Sequence, residues 1–408
     1  MPNTLLTIDM ITREAIRLWK NSNAFLMNVD HQYDDSFAQT GARIGSTLRI
    51  RLPNDYVVRK GPNLALNDTT EQNTTLVLAT QAGTDMAFST KERTMDLDDY
   101  SERVLAPAVN VTTGQVALDL MGASEGGICN WVATQDAGSN ILNPIAGTFL
   151  DAGATLDLNS APRANRKIVN SPRTEARVVA SLAGLFNPQS TISRQFTTGR
   201  VYDALNFTWM SDQTTIVHTN GALAQGSATV NGANQTGLNL VVNALAAGLN
   251  IGDIVTIAGV NAVNRITKET TGELRQFVVT ANVAAAATTI PIYPAIVPPV
   301  GGQKVQYQTV TASPANAAAV NPVSGLAAST VYRKNFAYCP EAVTIAMADL
   351  EMPTKSVEES AREMFDGVSI RMLTGYFIGT DQLITRLDVL YGFLWIRPEW
   401  ACIIADAV

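Results

Sequence analysis

The sequence predicts an α+β protein with a small antiparallel β-domain inserted into its middle. Three observations predict this. Helical periodicity with capping signals dominates the first half; regular short apolar runs separated by turn residues fill 221–329; and long strand-like runs return afterwards. Since host-like sequence flanks the β-rich block on both sides, the block is an insertion whose two ends lie close together on the host. Within it the stretch NIGDIVTIAGVNAVN, 250–264, reads as a β-unit by itself.

From about 7 to 26, Ile8, Ile11, Ala15, Leu18 and Trp19 recur at helical spacing, with Asp9 and Arg13 four apart on the polar side. Nothing local buries this stripe, so it packs either on its own domain, the commoner case, or on a neighbouring subunit. TLRIRL, 47–52, alternates strictly, and TTLVLAT, 74–80, supplies a second strand. The connection 53–73 is rich in Pro, Gly, Asn and Asp, and a hairpin connection of that length is functional or disordered more often than structural. In 95–122, Leu97, Tyr100, Val104, Leu105, Ala108, Val116 and Leu120 keep a helical pattern. Asp96, Asp98, Asp99 and Glu102 crowd its start, as the helix dipole favours, and Pro107 predicts a kink. Asn143 and Pro144 open a further helix through Phe149, Leu150 and Leu156. RKIVNS is a short strand, and Ser171 as cap with Pro172 in first position starts the next helix.

At 221–329 the composition turns to Ala, Val, Asn, Thr and Gly. The runs NLVVNAL, DIVTIAGV, RQFVVTANV, TTIPIYPAI and KVQYQTVTA predict a small sandwich or barrel. Its one charged segment is NRITKETTGELR, 264–275, read either as a face turned to a neighbour or as a solvated hairpin tip. Beyond it, 341–350, 368–378 and 383 onward read as long strands, the last pair turning near Arg397 and Pro398.

With 408 residues the chain can bury two or three cores. Charged residues are only 16% against about 25% in an average soluble domain, which predicts a surface largely covered by partners. A net charge of -7 argues against a broad basic grip on nucleic acid. Cys129, Cys339 and Cys402 are odd in number, far apart and without CxxC spacing, so neither a disulfide framework nor a zinc site is predicted. The charged N-terminal segment excludes a signal-peptide core or membrane span there. His31 among Asp30, Asp34 and Asp35 reads as an acidic loop rather than a metal site, and His218 as a surface or strand residue. No GxxxxGK[ST], GxSxG or HExxH occurs. The sequence therefore predicts a structural or binding protein with no catalytic residues, no metal and no cofactor.

The order of these elements resembles the major capsid (coat) protein of tailed double-stranded DNA bacteriophages. The likeness is to the short-tailed-phage coat type with an inserted immunoglobulin-like or telokin-like domain, whose fold is shared with herpesvirus capsid floors and encapsulin shells. STLRIRLPNDYVVRKG looks like the start of the family's extended loop, DDYSERVLAPAVN like its spine helix, and KIVNSPRTEAR like the strand-to-helix step of its apical domain. GDIVTIAGV looks like the core strand of the inserted domain, and LYGFLWIRPEWACII like the closing strands of the peripheral domain. The resemblance implies an N-terminal arm at 1–45, the extended-loop hairpin with peripheral strands at 46–95 and the spine helix at 96–140. It further implies apical segments at 141–220 and 330–367 around the insertion 221–329, and peripheral closing strands at 368–408.

It also implies a non-enzymatic shell subunit of the virion. Such a subunit self-assembles as pentamers and hexamers into an icosahedral capsid with scaffolding and portal proteins, in the host cytoplasm and without a membrane. The shell encloses double-stranded DNA without sequence-specific contact. Some relatives cross-link through Lys and Asn side chains; no such pair is identified here. Three contact elements are expected: Ile8, Ile11, Leu18 and Trp19 on a neighbour or scaffolding protein; Tyr56, Val57, Val58, Arg59 and Lys60 in the extended loop; and Arg265, Lys268, Glu269 and Glu273 on the insertion's charged face. Three other readings stay open. An encapsulin-like compartment would need no portal, a β-rich glycan-binding or hydrolytic enzyme would show two close carboxylates in a pocket, and a tail or adhesin protein would show fibrous repeats, of which no period is found.

Overall fold

The computed structural model describes residues 8–31, 47–58, 61–63, 71–89, 104–182, 203–299, 305–323, 329–353, 357–365, 367–379 and 382–408. The chain forms two compact units, one built from Met1–Ile50, Asn73–Leu120 and Val343–Ile396, the other from Arg51–Gln72, Met121–Ala342 and Arg397–Val408. Strands Thr47–Leu52 and Gln72–Val77 pair as a two-stranded ribbon.

The first unit is organised by the 14-residue strand Gln382–Trp395. It pairs antiparallel with Thr80–Ser89, Val343–Ala348 and Val368–Phe377, and the last of these pairs with Glu359–Phe365. Alternation drives the choice of strand: Leu383, Thr385 and Leu387 are buried while Ile384 and Arg386 between them are exposed. Helix α1, Ile8–Ser22, lies against Glu359–Phe365 and Val368–Phe377 and buries Ala15, Ile16 and Trp19. Burying a side chain of that size contributes about 3 kcal/mol. Helix α2 is Ala106–Gly122, preceded by two residues in π-helical geometry, Val104 and Leu105. Pro107 follows closely on this π-helical stretch, so regular α-helical geometry is interrupted at the place where the sequence puts the proline. The acidic residues 96–102 expected to head this helix lie outside the described residues.

The second unit holds a seven-stranded sheet. At its centre Val331–Tyr338 pairs antiparallel with Ala401–Ala407 along its length, from Tyr332↔Ala407 to Tyr338↔Ala401. Lys167–Asn170 and Val217–Thr219 also pair with Val331–Tyr338, and Phe207–Ser211 runs parallel to Lys167–Asn170. Helices α3, Ala146–Leu158, and α4, Pro172–Leu182, cover a core of Phe149, Ile168, Val178, Trp209 and Ile404. The Ser171 cap forms as expected, its Oγ accepting from the Thr174 N–H at 3.1 Å. Helix α3 starts two residues after the predicted Pro144, with the Ile145 N–H donating to Thr148 Oγ1. The expected grouping of 368–408 is corrected as well. The chain turns at Pro398–Trp400, and Ala401–Ala407 joins the sheet of the second unit, while Val343–Ala348 and Glu359–Phe365 from the expected apical span belong to the first.

Also in the second unit is a six-stranded sheet ordered Gly237–Val241, Thr289–Ile296, Thr270–Val279, Ile254–Val263, Ala319–Pro322, Ala228–Thr229. The bridge Val230↔Val242 brings its two ends together, so it closes into a barrel and leaves no free edge. Val230, Leu240, Ile257, Phe277, Ile290 and Val320 fill it.

Candidate assembly surface and its internal supports

The predicted contact residues divide sharply. Trp19 is 2% exposed and covered by its own chain, and Ile11 and Leu18 are half-buried. The α1 stripe is therefore covered within the first unit at Trp19 and only in part at Ile11 and Leu18; the side chain of Ile8 lies outside the described residues. Tyr56 and Val58 are 57% and 88% exposed on an irregular segment, with Val57 half-buried between them. Arg59 and Lys60 lie outside the described residues. In the charged segment 264–275, Glu269 and Glu273 are exposed and Lys268 is half-buried. Burial lowers the Lys268 pKa against the opposing pull of Asp55.

Arg265 is engaged inside the chain. Its Nη1 donates to Glu399 Oε1 at 2.5 Å, and its Nε lies 3.3 Å from Asp55 Oδ2. Burial disfavours the guanidinium, but the charges of Glu399 and then Asp55 outweigh it and raise its pKa. A groove of about 320 Å³, lined by Asp55, Tyr56, Ile266 and Trp400 among others, opens beside this cluster. The turn that carries Arg265 is pinned by Asn264, whose Oδ1 accepts from the Ile266 and Thr267 N–H groups at 2.9 and 3.1 Å.

A second ionic group was invisible to the sequence. His218, read from the sequence as a surface or strand residue, lies in the strand Val217–Thr219 and is 3% exposed. Its Nδ1 lies 3.1 Å from Glu125 Oε1 and its Nε2 2.9 Å from Asp253 Oδ1. Carboxylates accept and never donate, so the arrangement is fully hydrogen-bonded when both ring nitrogens carry a proton. Lys334, wholly buried, reaches Glu125 at 3.3 Å. Asp253 Oδ2 in turn accepts from the backbone N–H groups of Gly221 and Asn250. Gly252 has φ +90°, and a Cβ there would meet Glu125 O and Lys334 Nζ at 3.0 Å, so the tight NIGD turn admits only glycine. Burial pushes the Glu125 carboxyl up; the His218 hydrogen bond and the Lys334 charge outweigh it and hold the pKa below the ordinary value. The same burial lowers the Lys334 pKa.

His31 bonds Leu26 O through Nε2 at 2.7 Å, in a local backbone contact. The three cysteines are free and buried. Among the described residues no cluster of His, Cys, Asp and Glu has the arrangement of a metal site, and no helix is long and apolar enough to cross a membrane. Sequence separation explains why the ionic groups escaped notice. Glu125 and Asp253 stand 93 and 35 residues from His218, and no local pattern marks any of them.

Compared with known proteins, residues 148–404 match a family model described as P22 coat protein, gene protein 5. No curated protein matches the chain. Among solved structures, that titled Mycobacterium phage Che8 is 10% identical, with 94% of this chain and 90% of that one covered and a TM-score of 0.46. The capsid of Ralstonia phage GP4 is 7% identical, with 90% and 84% covered and a TM-score of 0.42. The CUS-3 coat protein I-domain is 32% identical over 25% of this chain and 98% of its own, with a TM-score of 0.21.

Proposed function

This chain belongs to the P22 coat protein family and is a major capsid protein that self-assembles into an icosahedral phage shell; we propose that it does so through the extended loop, with Tyr56 and Val58 seated on the adjacent subunit. As a family coat protein it is structural rather than enzymatic, and its place is the virion capsid. The observation that carries the loop reading is the pair of large apolar side chains left 57% and 88% exposed on a segment with no helix or strand of its own. Two such residues on either side of Val57, on an irregular segment, leave apolar surface that a contact with a neighbour would cover. Rings of five and six are built from heterologous contacts, and each contact can be weak because the closed shell multiplies it.

In this reading 221–329 is an inserted domain whose Glu269 and Glu273 present the outward charged face. Arg59 and Lys60 continue the loop. Assembly takes place in the host cytoplasm with a scaffolding protein and a portal protein, and the shell later encloses double-stranded DNA without sequence-specific contact. The net charge of -7 supports such a wall, since a strongly basic lining would hold the genome by counterion release.

The test is a Tyr56→Asp/Val58→Asp double variant of the full chain. Sedimentation should show subunits that no longer form shells, with the thermal midpoint of the unassembled protein unchanged. Shells formed at the wild-type yield would remove the loop from the contact.

A further inference from the structure

We infer that Arg265 is the positioning residue of the extended loop, an ionic clamp that sets the course of residues 56–58. The inference rests on the loop-contact reading above and adds to it the residue that aims the loop. Three segments far apart in sequence meet at this guanidinium. Asp55 stands immediately before the exposed Tyr56, Arg265 sits on the barrel's hairpin, and Glu399 on the turn Pro398–Trp400.

Residues 53–58 have no helix or strand to fix their course. A side-chain anchor at Asp55 is therefore what can hold the root of the loop, and the pair is sheltered, its side chains 31% and 25% exposed. Arg265 also uses its planar fork in a way lysine cannot. Nε and Nη2 face Asp55 while Nη1 takes Glu399, so one rigid group spans two carboxylates. The clamp itself stands on firm ground. Asn264 caps the turn that follows it, Asn264 N donates to Glu269 O at 2.8 Å, and the hairpin below belongs to the closed barrel. The insertion thus acts as a strut against which the loop root is held.

The experiment uses the full chain with Val58→Cys, which can be spin-labelled selectively because Cys129, Cys339 and Cys402 are buried. Label mobility in unassembled subunits is read by electron paramagnetic resonance, and particle form by electron microscopy of matched unlabelled variants. Arg265→Ala should shorten the label's correlation time about threefold and yield aberrant shells or sheets. Arg265→Lys should resemble it, because the fork is lost. Asp55→Asn, which removes the carboxylate at the loop root but leaves Arg265 on Glu399, should shorten the correlation time likewise. Unchanged label mobility in Arg265→Ala, with the protein folded, would overturn the clamp. A loosened loop with normal shells would leave the clamp standing and overturn instead the loop-contact reading on which its role in assembly rests.

Discussion

Glu125 shows what a single residue does in this protein. It faces His218 and Lys334, both almost wholly buried, and its carboxylate is the partner that Lys334 needs so as not to stand as an uncompensated charge. A carboxyl whose folded pKa is held below its unfolded value stabilises the fold above that unfolded value, about 4.3, and the stabilisation is lost as pH falls through the folded one. Glu125→Gln should therefore cost about 3 kcal/mol at pH 7, and the gap from wild type should narrow below about pH 4 as the wild-type carboxyl protonates. Urea denaturation of the two proteins between pH 3 and 7 measures both effects; a gap constant with pH would separate Glu125 from this role. None of this was legible in the sequence, because a buried ion group is assembled from residues that have only space in common. By contrast, the Ser171–Pro172 cap was legible because its chemistry is local: a hydroxyl and the backbone N–H three residues on.

At the scale of elements, periodicity revealed which residues are buried but not what buries them. The α1 stripe was correctly read as apolar on one face, yet its cover is the strands Glu359–Phe365 and Val368–Phe377, some 350 residues away in sequence, and nothing in the stripe says so. Pro107 was informative because its effect is local: it stands where π-helical geometry at Val104 and Leu105 gives way to α2, and a residue without an N–H interrupts the regular ladder there. The β-rich block was the most readable region, since short alternating runs with Gly and Asn turns are the pattern of a small β-domain; that it closes into a barrel through Val230 and Val242 was not. One element-level consequence concerns the pairing of Thr80–Ser89 with Gln382–Trp395. Gly83 lies opposite Asp388, and a Cβ there would come within 2.6 Å of Asp388 Oδ1 and closer still to Leu387 O. Asp388 has no room to yield, because Arg371 and Arg386 each hold it at 2.7 Å. Gly83→Val should destabilise the subunit by about 3 kcal/mol, read as a lower urea midpoint, while the same change at Gly122, where φ is -59° and a Cβ meets open space, should have a smaller effect.

For the whole molecule, the chain builds each of its two units from three separate segments and returns to the second unit for its last strand. This path explains the error in grouping 368–408: two strands joined by a tight turn look like a hairpin, and only the pairing of Ala401–Ala407 with Val331–Tyr338 reveals that they belong to different sheets. The low share of charged residues, 16%, accords with a subunit whose surface is largely covered once assembled. Shell formation by this chain is the central claim, and the measurement that tests it most directly is electron microscopy of the size-fractionated protein, expressed alone and with a scaffolding protein. The account predicts closed or aberrant shells. A uniformly monomeric or small-oligomer product that persists with the scaffolding protein present would contradict it.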